Sequence, residues 1–175
     1  LGAITASRKD YSDALRYFTR AAAWNPTLDG LDYNMGRAAF MASQFSEAVA
    51  PLSRYITTHP QDSGIRAALA MSEFMTHNYG GCIDALKGVE ATIATIPQMQ
   101  YIYADSLVKT GQSAEGIRRL ISLEATHPEI AEVHRGLGEA FDLQGERERA
   151  AKELQNAVQL NAKDAEAHYD LGKVE

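Results

Sequence analysis

A single cysteine, Cys82, has no partner within the chain, so a cross-linked secreted scaffold is excluded. Five prolines and 13 glycines in 175 residues are too few for a collagenous or low-complexity chain, and 45% apolar content is too high for disorder. Apolar runs are short, as in Ala38-Ala39-Phe40-Met41-Ala42. A bilayer span needs ~18 or more such residues, so no membrane insertion is expected. An excess of basic charge is missing as well. The 17 Lys and Arg face 23 Asp and Glu, and the whole net charge of −6 falls in residues 88–175, because residues 1–87 balance at 8 against 8. Without a basic stripe to displace phosphate counterions, no nucleic-acid footprint is expected. The chain begins at Leu1 with no charged-then-apolar leader, which reads as a segment of something longer. Its compartment, cytoplasm or periplasm, is left open.

What is present is a period. Pro26 and Pro60 lie 34 residues apart and Pro128 lies 68 beyond Pro60, twice that interval; the places between and after are Ala94 and Ala162. At this spacing the chain lays out as a partial unit 1–28, full units 29–62, 63–96, 97–130 and 131–164, and a partial unit 165–175, with no insertion. Each unit carries two apolar patterns of period ~3.6 split by a short polar turn, so each is a helix-turn-helix. The pattern predicts first helices near 30–42, 64–76, 98–110, 131–144 and 165–175, and second helices near 12–25, 46–58, 80–92, 114–126 and 148–160. Helices this short are marginal alone, so they must be held by packing on their neighbours.

The register also fixes residue types. Small residues recur on first helices at Gly36, Ala70, Ala104, Gly138 and Gly172, and on second helices at Ala14, Ala48, Cys82 and Ala150. Large ones recur at Leu1, Met35, Leu137 and Leu171, at Phe141, and at Phe18, Leu52 and Leu154; Ala21 and Ala157 follow. In these residues the whole chain resembles a tetratricopeptide repeat array. Departures are Glu73 in an aromatic place with Phe74 after it, Ala39 and Phe40 likewise one unit earlier, and Gly116 in an alanine place. Gly116 is expected to cost its helix roughly 0.5–1 kcal/mol relative to Ala. The resemblance implies an all-α fold, a right-handed α-α superhelix of 34-residue repeats forming one array over 1–175.

Residues that suggest catalysis are better explained otherwise. Gly136-Leu137-Gly138 has Phe141 in the third glycine place of a dinucleotide loop and sits within an expected helix. His59, His77, His127, His134 and His168 fall at repeat positions, where packing or capping explains them. Metal ligation would need facing helical turns with matched carboxylates, and no HExxH or paired-cysteine spacing exists. Cys82 reads as a small buried hydrophobe. Glu139, Asp142, Glu146 and Glu148 read as a hydrated acidic face. No enzyme activity, cofactor or metal is expected.

The resemblance implies that first helices line a concave groove, whose exposed places include Tyr33, Asn34, Arg37, Met41, Met71, Met75, Tyr101, Asp105 and Arg135. Phe40 and Phe74 are expected to pack on the next unit's first helix. The early groove is aromatic and methionine-rich, and the late groove is mostly acidic. A non-catalytic scaffold that binds a protein partner, as a peptide or helix, follows. The alternative is a regulatory or substrate-presenting arm of a larger enzyme or assembly machine. The resemblance does not extend to the carboxylate clamp of some family members, because Tyr33 and Ala67 stand where its lysines would, and Arg37 replaces an asparagine. End-to-end self-association through the partial repeats is a further expectation.

Overall fold

A computed structural model describes residues 1–175, and every regular element in it is an α-helix. The chain divides into two compact units, Leu1–Thr92 and Ile93–Glu175. The first holds α1 (Gly2–Ser7), α2 (Tyr11–Trp24), α3 (Leu31–Met41), α4 (Phe45–Thr58), α5 (Ser63–Met75) and α6 (Tyr79–Leu86), and the short α7 (Glu90–Ile93) straddles the division. The second holds α8 (Pro97–Lys109), α9 (Ser113–Thr126), α10 (Ala131–Leu143), α11 (Arg147–Leu160) and α12 (Ala165–Val174).

The turn inside each repeat has one geometry. Lys9, Ser43, His77, Gly111 and Gly145, spaced by 34, all take a positive φ between 57° and 85°. The next residue's N–H then reaches back to the carbonyl five residues earlier, as from Gln44 to Ala39 at 2.9 Å and from Gln112 to Leu107 at 2.8 Å. This left-handed closure satisfies carbonyls that the helix end would leave unpaired. It reverses the chain, and the second helix folds back on the first.

Packing within each unit follows the small places. In the first unit α4 lies against α3 and α5, and α5 against α3 and α6; in the second, α10 lies against α8, α9, α11 and α12. A Cβ added at Gly138 would sit 2.5 Å from Leu154 Cγ, so α10 and α11 approach as closely as only glycine allows. Leu52 and Leu86 are fully buried in the first unit, and Ile102, Leu120, Leu137 and Leu154 in the second. Each such side chain contributes about 1.5–3 kcal/mol when withdrawn from water.

Two expectations are corrected. The helix expected over 80–92 breaks: α6 ends at Leu86, Lys87 is extended, and Gly88 turns the chain with φ 84° before α7. Arg66 of α5 stabilises that early end, its Nε donating to Ala85 O at 2.8 Å and its Nη2 to Lys87 O at 2.7 Å. Gly116 is no defect, because a Cβ there would meet Ala104 O at 2.7 Å and Val108 Cγ2 at 2.6 Å. Within their own repeats, Phe40 and Phe74 stack edge-on against Phe45 and Tyr79, at 6.0 and 5.7 Å between ring centres.

A polar bond recurs with the repeat. Arg66, Gln100, His134 and His168 hold the fourth place of successive units, and each side chain bonds the backbone carbonyl six residues earlier, at Pro60, Ala94, Pro128 and Ala162. Asp32 in the same place is an acceptor, and takes Arg54 instead, at 2.6 Å.

Candidate functional site

In the first unit, Asn34, Arg37 and Met41 are brought together. They share one face of α3 through the helical spacing of three and four, and with Ala6, Ser7, Tyr11 and Ala38 they line a cavity of about 260 Å³. Arg37 Nη1 donates to Tyr33 Oη at 2.9 Å, and its guanidinium stands 5.1 Å from the Tyr33 ring centre. Tyr33 also lies 5.1 Å from Tyr55, which stacks on His59 at 4.2 Å. Tyr33 thereby joins a second depression, at the α2–α3 loop, with Arg54, Tyr55 and Asp62. On α5, Met75 is exposed and Met71 half-buried.

In the second unit the expected groove residues are less open. Tyr101 is 7% and Asp105 3% exposed, because Gly136 lets α10 settle onto α8, with Tyr101 Cε2 3.3 Å and Asp105 Oδ1 3.5 Å from where a Cβ would be. Both are therefore buried, where exposure in the groove was expected. Burial pushes the Asp105 carboxyl up to about 6, Lys109 pulling it back and Glu139 adding to the rise, and burial likewise raises the Tyr101 phenol well above its usual range.

Arg135 is half-buried and acid-bound. Its Nη1 donates to Glu139 Oε1 at 3.2 Å and to Glu166, and Nε approaches Asp164 Oδ2 at 3.5 Å. Burial alone would lower the guanidinium; the Tyr101 oxygen and the carboxylates of Glu139, Glu166 and Asp164 outweigh it and hold the proton more firmly. Glu139 also pairs with Lys109, so it is part of an ion-pair network and not a freely hydrated carboxylate.

One cluster escaped the reading of the sequence. His134 of α10 is 5% exposed, with Nδ1 2.8 Å from Glu153 Oε2 of α11 and 3.8 Å from Glu124 Oε1 of α9. Burial disfavours the imidazolium, but the bonds to Glu153 and Pro128 and the two carboxylate charges prevail and raise the ring above its ordinary value. The signal lay in the register: place 4 of one unit, place 23 of the same unit and place 28 of the unit before it meet between helices.

Family models for tetratricopeptide repeats match residues 6–71, 104–148 and 138–174, the last described simply as a TPR repeat. The chain is a tetratricopeptide repeat protein. No curated protein matches the array in sequence. Among solved structures it is similar to YrrB, a TPR protein with an unusual peptide-binding site, at a TM-score of 0.77 and 13% identity, over 96% of this chain and 87% of that one. It is also similar to MamA, at a TM-score of 0.69 and 18% identity, over 94% of this array and 96% of MamA. These likenesses establish the fold.

Proposed function

We propose that this array is a protein-interaction scaffold whose first unit receives a peptide or helix on the wall formed by α3 and α5. The carrying observation is the convergence of Asn34, Arg37 and Met41 on one cavity of about 260 Å³. That volume accepts a single large side chain, and the lining supplies both kinds of contact a peptide needs. Met41 and Ala38 offer apolar surface, while Arg37 and Asn34 offer directed donors. Outside the cavity, half-buried Met71 and exposed Met75 on α5 would add apolar contact through flexible thioethers. Each anchor fully buried would contribute about 1.5–3 kcal/mol, and a micromolar complex needs roughly −8 kcal/mol net.

YrrB supports this reading only as a protein of the same fold with a peptide-binding site. The acidic first-helix faces of the second unit, with Glu132 and Glu166 exposed, favour cationic segments there through faster encounter. The test is display selection of peptides on the intact chain, followed by titration against Arg37→Glu with Met41→Glu. Both residues are exposed, so the fold is kept. Selected peptides should bind the double variant at least about tenfold more weakly; equal binding to both proteins overturns the proposal.

A further inference from the structure

Glu124, His134 and Glu153 come from three successive helices, and each turns one atom into a common volume, all within 4.8 Å of one another. The opposite ring nitrogen of His134, Nε2, stands 2.9 Å from Pro128 O. A carbonyl only accepts, so Nε2 carries a hydrogen in every protonation state of the ring. In the neutral ring Nδ1 is then a lone pair, and it faces two carboxylate oxygens that are lone pairs as well. Three electron-pair donors aimed at one volume can share a cation, either a proton on Nδ1 or a metal ion. A proton on Nδ1 serves Glu153 at 2.8 Å but leaves Glu124, at 3.8 Å, beyond hydrogen-bond reach. An ion bonded at about 2.0–2.2 Å to each atom would serve all three.

We propose that Glu124, His134 and Glu153 form a divalent-cation site of the second unit, with Zn²⁺ the ion that its ligands suit best. One imidazole nitrogen disfavours Mg²⁺ and Ca²⁺, while two carboxylates neutralise a 2+ charge and disfavour thiophilic Cu(I). Ligand atoms on a tetrahedral ion with such bonds stand about 3.4 Å apart. The two distances at Nδ1 bracket that separation, and all three ligand atoms lie within 4.8 Å of one another, so rotation of the glutamate side chains has to draw the carboxylates together to complete the geometry.

Around the three ligands stands an outer layer. The Pro128 carbonyl fixes the ring, and Asn156 Nδ2 donates to Glu153 Oε2 at 3.4 Å. The Glu124 side chain is 31% exposed against 6% for His134 and 11% for Glu153, which opens one side to solvent. Water supplies the fourth ligand there, and the ion enters by the same side. A ring that starts protonated releases its Nδ1 proton to solvent on binding, an imidazolium and M²⁺ becoming a metal-bound imidazole and H⁺.

The experiment is calorimetric titration of the intact chain, freed of metal with a chelator, with Zn²⁺ at pH 7.5, and with Co²⁺ as a visible-absorption reporter of coordination. One site per chain is expected, with Mg²⁺ giving no signal. Two variants locate it. Glu124→Gln changes a partly exposed side chain and leaves the core intact. His134→Gln keeps the bond to Pro128, because Gln100 makes the equivalent bond to Ala94 in the preceding repeat, but removes the ligand nitrogen. Each should weaken Zn²⁺ at least about tenfold and abolish the Co²⁺ spectrum, since even outer-layer changes typically cost that much. Absence of Zn²⁺ binding, which is the outcome of an ion pair held by a proton only, overturns the proposal. So does Zn²⁺ binding that both variants retain, the outcome of adventitious capture by surface histidines.

Discussion

His134 Nε2 bonds the carbonyl of Pro128, six residues earlier, at 2.9 Å, and the pair is one copy of a bond that three other repeats also make. The fourth place of the unit chooses the donor and the loop before it presents the acceptor, so the loop is tied to the helix it introduces. Helix starts leave orphan N–H groups and loops leave orphan carbonyls. Here a side chain spans that gap at a fixed register.

Arg66 holds this place where it matters most, because it also caps the shortened α6. Its guanidinium bonds Pro60 O at 2.9 Å, Ala85 O at 2.8 Å and Lys87 O at 2.7 Å. Hydrogen bonds from charged groups are worth about 1.5–3 kcal/mol when lost. Arg66→Ala should therefore lower the urea midpoint of the first unit by the equivalent of about 1.5–3 kcal/mol. Arg66→Gln should recover part of the loss, since glutamine reaches the loop carbonyl from the same place in Gln100. Equal loss in both variants would place the whole effect at the α6 terminus.

Gly116 gives opposite answers by propensity and by packing. Helix propensity favours Gly116→Ala by roughly 0.5–1 kcal/mol. The Ala104 carbonyl, 2.7 Å from the new Cβ, is backbone and cannot swing aside. Overpacking of this kind costs about 1–3 kcal/mol, so the variant should be net destabilised. A raised melting temperature would show that α8 and α9 can separate without penalty.

Much of the fold is written in the period. Helix limits from the pattern agree with the structure to within about two residues, because each apolar stripe is repeated and each turn falls at the same place. The break at Lys87 to Val89 could not be read, since Gly88 fits a weak helix as well as a turn until Arg66 is seen capping the end. The exposure of Arg37 and Met41, with Asn34 half-buried beside them, follows from register alone. That of Tyr101 and Asp105 does not, because it depends on how far Gly136 lets the neighbouring helix descend. Glu124 and Glu153 sit ten and 19 residues from His134, and only the stacking of three helices joins them.

Ser43 occupies the left-handed turn with φ 57°, where Gly111 and Gly145 stand in later repeats. A Cβ in that region costs about 1 kcal/mol, and the residue is exposed, so nothing else is lost by removing its side chain. Ser43→Gly should stabilise the first unit by about 0.5–1 kcal/mol in chemical denaturation. Gly111→Ala should destabilise the second unit by a similar amount, with no clash to blame, because nothing lies within 4 Å of its Cβ position. Changes of the same sign in the two variants would remove backbone conformation as the cause.

Asp105 sets a pH dependence on the second unit. Its carboxyl is buried and held at about 6 in the folded chain, against 3.8 for the unperturbed group. The folded state therefore binds the proton more tightly than the unfolded state does. This linkage contributes stability that is fully present below about pH 4 and is lost as pH rises through about 6. Above that, the carboxylate destabilises the fold by an amount on the order of 1–3 kcal/mol. Asp105→Asn keeps the shape and removes the charge. It should stabilise the chain at pH 7.5, have little effect near pH 4, and flatten the rise in stability seen as pH falls from about 6.5 to 4. Urea titrations of both proteins across that range read the difference directly, and a variant that is equally destabilised at every pH would mean that the ionised carboxylate is needed by Lys109 and Arg135.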